Sequence, residues 1–210
     1  MQASEEMKAR ARHLYLRARN YGLRGLALDH PDFEAALRKD PRKTVRSNTR
    51  KDIPFLYWTG VSWAAAISLS KDNPDLIAEM PIVEAMMDRA LELDEAYDHG
   101  AIHSFLITYE MSRPGGTGDP AARSRQQFER AMALSGGTQA GPLVSLAETV
   151  CIQKQDVKEF ESLLQRALAI NPDAKPETRL VNLVMQRRAK WLLSRTDELF
   201  LKKDTKENTP

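Results

Sequence analysis

Apolar residues along this chain recur at steps of three and four, and alternation at steps of two is nearly absent. The first period belongs to a helix with one buried stripe, the second to a half-buried strand. The pattern therefore predicts an all-α chain. Met7, Ala11, Leu14, Ala18 and Tyr21 mark one face of an opening helix, which Asp29-His30-Pro31 breaks. Phe33 to Leu37 restarts the helix briefly, and a polar, basic stretch fills 38–51. Asp52-Ile53-Pro54 opens a second helix, reaching about residue 70, with proline where its missing N–H costs nothing. Asn73-Pro74-Asp75 opens a third, to about residue 94, and Pro81 should kink it or split off its first turn. Further helices are predicted over about 96–112, 119–134, 139–153, 156–170 and 176–200, with a loop at Arg113-Pro114-Gly115-Gly116-Thr117-Gly118 and a fraying polar tail at 202–210.

The pattern also repeats. Three helices end alike, as Arg89-Ala90-Leu91-Glu92-Leu93-Asp94, Arg130-Ala131-Met132-Ala133-Leu134-Ser135 and Arg166-Ala167-Leu168-Ala169-Ile170-Asn171-Pro172, their first alanines 41 and 36 residues apart. Met87, Phe128 and Leu164 precede those alanines by three positions, and Leu26-Ala27-Leu28-Asp29 is a fourth echo. Other helices share a large–small–large triple: Leu14/Ala18/Tyr21, Leu56/Gly60/Trp63, Leu143/Ala147/Val150 and, more weakly, Tyr97/Ala101/Ser104. A small residue lets a neighbouring helix approach and the larger ones fill the gap around it. Asp119 and Asp156 stand where helix N-caps are needed. These features resemble the tetratricopeptide repeat, with irregular spacing and without that family's tryptophan. The fold expected is a right-handed helical stack of degenerate tetratricopeptide-like helix pairs, one domain over 1–201, each pair burying its face only against the next.

Composition narrows the function classes. Of 210 residues, 42% are hydrophobic and 29% charged, as in ordinary folded proteins, and the net charge of +2 supplies no broad field for nucleic acid. The single cysteine, Cys151, makes an intrachain disulfide impossible. No apolar run approaches the roughly 20 residues that span a bilayer.

Candidate chemistry is sparse. His99 and His103, four apart, have a zinc-compatible spacing, but Gly100 stands where the metalloprotease motif needs glutamate and no third ligand follows, so no metal is expected. Cys151 lies on an apolar face without a base, as a buried small hydrophobe would. The 115–118 loop follows a helix and lacks the Lys-Ser/Thr of a phosphate loop. The basic run Arg38-Lys39, Arg42-Lys43, Arg46 and Arg50-Lys51 has no interleaved aromatics and reads as a solvated connection or an anion-facing edge rather than a nucleic-acid surface. Neither a catalytic site nor a cofactor is expected. Tyr57, Trp58 and Trp63, sharing a helix with Phe55, are the best candidates for a ligand cleft, with Trp58 turned away from the Leu56/Gly60/Trp63 stripe. On the last helix Arg188 falls in register with Val181, Val184, Met185 and Leu192; it is a fourth cleft candidate, although pairing with a glutamate inside the stack is favoured.

A narrower resemblance follows from the order of features: Gly115-Gly116-Thr117-Gly118-Asp119-Pro120, then Phe128 to Ser135, then Lys158-Glu159-Phe160-Glu161-Ser162-Leu163-Leu164, then Arg179-Leu180-Val181-Asn182-Leu183, Arg187-Arg188-Ala189-Lys190-Trp191-Leu192-Leu193 and Leu199-Phe200. Together they resemble the T component associated with TRAP (tripartite ATP-independent periplasmic) transporters, over about residues 5–201. The resemblance implies a periplasmic protein, often lipid-anchored, that forms a homotrimer, binds the transporter's solute-binding subunit and takes a small hydrophobic ligand. This chain shows neither a signal peptide nor a lipobox cysteine: either the protein is cytoplasmic, or it is a mature domain from which the signal has been cut away. The alternative is a generic tetratricopeptide-like scaffold that docks peptides in a groove.

Overall fold

The computed structural model describes residues 2–113 and 115–201; the tail expected to fray, 202–210, lies outside the described residues, as does Pro114. Among the described residues the chain is all-helical, without strands. It divides into two compact units, Met1–Tyr97 and Asp98–Pro210.

The first unit holds α1 (Gln2–Asp29), α2 (Phe33–Lys39), α3 (Pro41–Val45), α4 (Ile53–Ser68), α5 (Pro74–Ile77) and α6 (Met80–Leu93). Helix α4 is its centre, packed by α1 on one side and α6 on the other. Two glycines permit this. A Cβ on Gly22 of α1 would lie 1.9 Å from the Thr59 hydroxyl of α4, and one on Gly60 of α4 would lie 2.5 Å from the Met87 methyl of α6. Leu56, Gly60 and Trp63 are all buried, so this large–small–large triple does pack as its spacing implies. Pro81 splits α5 from α6, as expected of an imide at that place. Asn73 caps α5, its side chain accepting the Leu76 N–H at 3.0 Å.

The second unit holds α7 (Ala101–Tyr109), α8 (Pro120–Ser135), α9 (Ala140–Leu146), a π-helical segment Ala147–Cys151 leading into α10 (Ile152–Lys154), α11 (Val157–Ala169), α12 (Pro176–Leu193) and α13 (Thr196–Leu199). Helix α7 lies against α8, and α9, α11 and α12 pack on one another. Leu143, Ala147 and Val150 are buried together. The repeat alanines Ala90, Ala131 and Ala167 are each sealed from solvent. Asp119 and Asp156 cap α8 and α11 through the amides of Ala121 and Glu159.

Four expectations need correction. The stripe Met7, Leu14, Tyr21 of α1 faces solvent, while Leu23 and Leu26 are buried; the inward face is completed by Gly22 and by Arg19, whose charge is matched locally, so it does not read as apolar. The connection 38–51 is not irregular, because α3 and a 3-10 turn, Arg50–Asp52, lie within it. The helix expected from about residue 96 begins only at Ala101, because Asp98, His99 and Gly100 all take positive φ. Gly100, at φ 87, is pressed against α8, where a Cβ would meet that of Leu134 at 3.0 Å. The closing helix ends at Leu193 rather than near residue 200, and its stripe turns: Val181 and Val184 are exposed, while Thr178, Asn182, Ala189 and Leu192 are buried. The polar members of that inner face satisfy helix-end backbone groups. Asn182 accepts the Ala140 N–H and donates to the Thr138 carbonyl, both at 2.9 Å, and Gln186 donates to the carbonyls of Ala167 and Ile170.

Candidate functional site

A polar, partly buried site lies in the first unit. Trp63 is fully buried at the centre of α4, and its indole N–H donates to the Glu79 carboxylate at 2.8 Å. Glu79, just ahead of α6, also accepts from Arg38 of α2 and, at 3.5 Å, from Arg19 of α1. The Arg19 guanidinium lies 4.8 Å from the Trp63 ring centroid and that of Arg38 lies 5.7 Å away. Two cations therefore share one carboxylate over one aromatic face. Burial pushes the Arg19 pKa down, with the Glu79 charge opposing, whereas the hydrogen bond from Arg38 to Glu79 pushes Arg38 up.

Beside this cluster runs a groove of about 480 Å³ lined in part by Arg12, Leu16, Arg19, Arg38, Leu76 and Glu79. A second hollow of about 380 Å³, with His13, Leu16, Arg17, Arg19, Tyr21 and Arg24 in its wall, adjoins it along α1. No acidic residue occurs in α1 over 7–28. The hollow is thus cationic with apolar patches, a surface suited to an anion carrying an apolar body, whereas the groove also carries the carboxylates of Asp75 and Glu79. Arg19 and Glu79 were not visible as site residues in the sequence, because α1 and the start of α6 meet only in the fold.

The four residues expected in a cleft are distributed differently. Tyr57 and Trp58 meet edge-on at 5.1 Å, and Tyr57 also lies 5.5 Å from Tyr97. Trp58 is 57% exposed, as its position off the stripe implied, while Trp63 presents no surface to solvent. Arg188 belongs to the second unit. Its guanidinium pairs with Glu148 of the π-helical segment, Nε lying 3.2 Å from the carboxylate, and sits 4.2 Å from the Trp191 ring centroid. The pairing of Arg188 with a glutamate, favoured from its register, is what the structure shows.

The remaining candidates are mostly held in structural contacts. His99 lies in the positive-φ turn outside α7, whereas His103 is buried within α7 with Nδ1 2.6 Å from Gln127 Oε1. The basic connection is tied to acids of the same unit, Arg42 to Glu84, Arg50 to Asp94 and Lys51 to Asp29. Cys151 is buried and donates to Glu159 at 3.4 Å, and Glu159 in turn pairs with Arg125. Burial, with the Glu159 charge behind it, pushes the thiol up to about 12. At pH 8 its thiolate fraction is then about a thousandfold below that of an unfolded chain, so iodoacetamide should label Cys151 rapidly in urea and barely at all in the native protein. Comparable labelling in both states would contradict this placement. The folded thiol keeps its proton to higher pH than the unfolded one, so this contribution to stability is intact below pH 9.0 and is lost as the pH rises toward 12.

Among the described residues the structure is all-helical, and Glu79, Glu110, Glu148 and Glu159 are each engaged by arginine. Residues 1–200 match the family model of the TRAP transporter T-component, and the chain belongs to that family. It is also 28% identical over 204 residues to an uncharacterized protein of Treponema pallidum (strain Nichols), covering 95% of this chain and 63% of the length of that protein. Membership places the chain with an accessory component of TRAP transport rather than with an enzyme class. No described helix is long and apolar enough to cross a membrane.

Proposed function

We propose that the chain is a periplasmic accessory protein of a TRAP-type transporter that binds the solute-binding subunit through a stack of degenerate tetratricopeptide-like helix pairs. The family match along residues 1–200 carries this reading. The chemistry of the described surface supports binding over catalysis: Glu79, Glu110, Glu148 and Glu159 are each engaged by arginine, and the one thiol is held protonated. A small hydrophobic ligand would rest on the exposed indole of Trp58 beside Tyr57. Lipid anchoring and a homotrimer belong to the same proposal.

The test is direct binding. The chain, mixed with the solute-binding subunit of a TRAP transporter from the same organism, should co-elute as a complex heavier than either, and its own mass in solution should be that of a trimer. A monomer that leaves the subunit unbound would reject the reading. Apolar ligands should change the tryptophan emission, and Trp58→Ala should remove that response while leaving the circular dichroism of the protein intact. An undiminished response in the variant would reject the Trp58 assignment.

A further inference from the structure

The face of α1 that points outward is more ordered in sequence than an unused surface needs to be. Met7, Leu14, Tyr21 and Leu28 recur every seven residues, and Ala11, Ala18 and Gly25 recur every seven between them. Steps of four and three in strict succession make a coiled-coil seam, with a 3.5-residue repeat. The large members are 67%, 55%, 56% and 83% exposed, respectively, so the seam is open at each of them, while Gly25 between the last two is covered by α4, where a Cβ would lie 2.4 Å from the Phe55 ring. Arg10, Arg17 and Arg24, again seven apart and all exposed, flank it on one side. The Tyr21 ring lies 5.6 Å from the guanidinium carbons of both Arg17 and Arg24.

We propose that α1 is one half of a helix–helix interface whose other half is an acidic amphipathic helix of a partner protein. The proposal rests on the reading of the chain as a protein-binding accessory component and adds the surface and the chemistry of what it takes. Three observations select this occupant. The seam is one side chain wide, and its small layers, Ala11 and Ala18, leave room for large residues of an apposed helix; a lipid surface is met instead by a broad apolar face. The flanking row carries only cations, so carboxylates at the matching positions of the partner would complete it. A second copy of α1 does not supply them: run antiparallel it sets the arginine row against itself, and run parallel it offers Tyr15, Gly22 and Asp29 to the three arginines, one acid among them.

The probe is a fluorescein-labelled four-heptad peptide with Leu at both seam positions and Glu at both flanking positions, kept from pairing with itself by its own charge. Its anisotropy is titrated with the full chain. It should bind at least about tenfold more tightly than a scrambled peptide of identical composition, and a peptide with Lys at the flanks should not bind. Leu14→Ser with Tyr21→Ser, both exposed positions, should abolish the preference for the heptad order, and Arg10→Glu with Arg17→Glu and Arg24→Glu should transfer binding to the Lys peptide. Equal binding of the ordered and scrambled peptides, or an unaltered preference after charge reversal, overturns the proposal. So does seam-dependent binding to phosphatidylglycerol vesicles without peptide binding, or a dimer or trimer in sedimentation that the seam variant abolishes. The peptide assay contains no transporter subunit, so its failure is distinguishable from failure of the subunit to co-elute.

Discussion

Glu110→Ala is expected to cost the second unit about 3–5 kcal/mol, the range for removing one partner of a buried ion pair. Glu110 follows the last residue of α7 and is 2% exposed. A carboxylate at a helix C-terminus opposes the helix dipole, so something must offset its burial there. Arg123 Nε donates to it at 2.7 Å and Arg113 at 2.9 Å, while Arg123 also reaches the backbone carbonyls of Thr117 and Glu110. The glycine loop makes room for this: a Cβ on Gly116 would lie 2.4 Å from an Arg123 nitrogen. Loss of the carboxylate leaves two partly buried guanidiniums facing each other across its vacated place. Glu110→Gln should retain only part of the stability, because its amide N–H₂ opposes guanidinium donors. The check is the urea midpoint by circular dichroism at unchanged slope. A loss below about 1 kcal/mol would mean that these contacts are no better than surface ion pairs.

That loop shows what a sequence can and cannot disclose. Its glycines identify a turn, but the reason for Gly116, the passage of Arg123, requires the fold. Helical class, the split at Pro81 and the caps Asp119 and Asp156 were legible because each depends on residues within a few positions of one another, and Ala90, Ala131 and Ala167, all buried, stood out because their surroundings repeat. The inner faces of α1 and α12 were misread for a common reason. Periodicity assigns the more apolar stripe to the core, yet both helices carry apolar residues on more than one face. In α1 the buried face includes Arg19, neutralised by Glu79 60 positions away. In α12 it includes Asn182 and Gln186, which serve backbone groups of preceding helices. The break at 98–100 was hidden too, since only one of its three positive-φ residues is glycine. Among the cleft candidates, the outward turn of Trp58 was legible from its position off the stripe, whereas the Trp63–Glu79 bond joins two segments that the sequence gives no reason to pair.

The second large effect concerns that bond. Glu79→Ala should destabilise the first unit by about 2–4 kcal/mol, an estimate held below the fully buried range because the carboxylate is 18% exposed. Three donors lose their acceptor at once: the Trp63 indole N–H, Arg38 and Arg19. Arg19→Met should behave differently. Arg19 gains from Glu79 only at 3.5 Å and loses by desolvation, which dominates the lowering of its pKa. Its removal leaves Glu79 satisfied by Arg38 and Trp63, and the methionine stem can cover the same ring. The expected cost is less than about 1 kcal/mol, since replacing a poorly compensated buried charge by an apolar side chain is close to neutral. Glu79→Gln should fall between the two, preserving an oxygen for the indole N–H but not the charge for the arginines. Because Trp63 is the fully buried tryptophan, Glu79→Ala should also shift its emission, and Arg19→Met should do so less. If Arg19→Met proves as costly as Glu79→Ala, the guanidinium over Trp63 is a structural tie, and the cations of the groove cannot be regarded as free of a stabilising task.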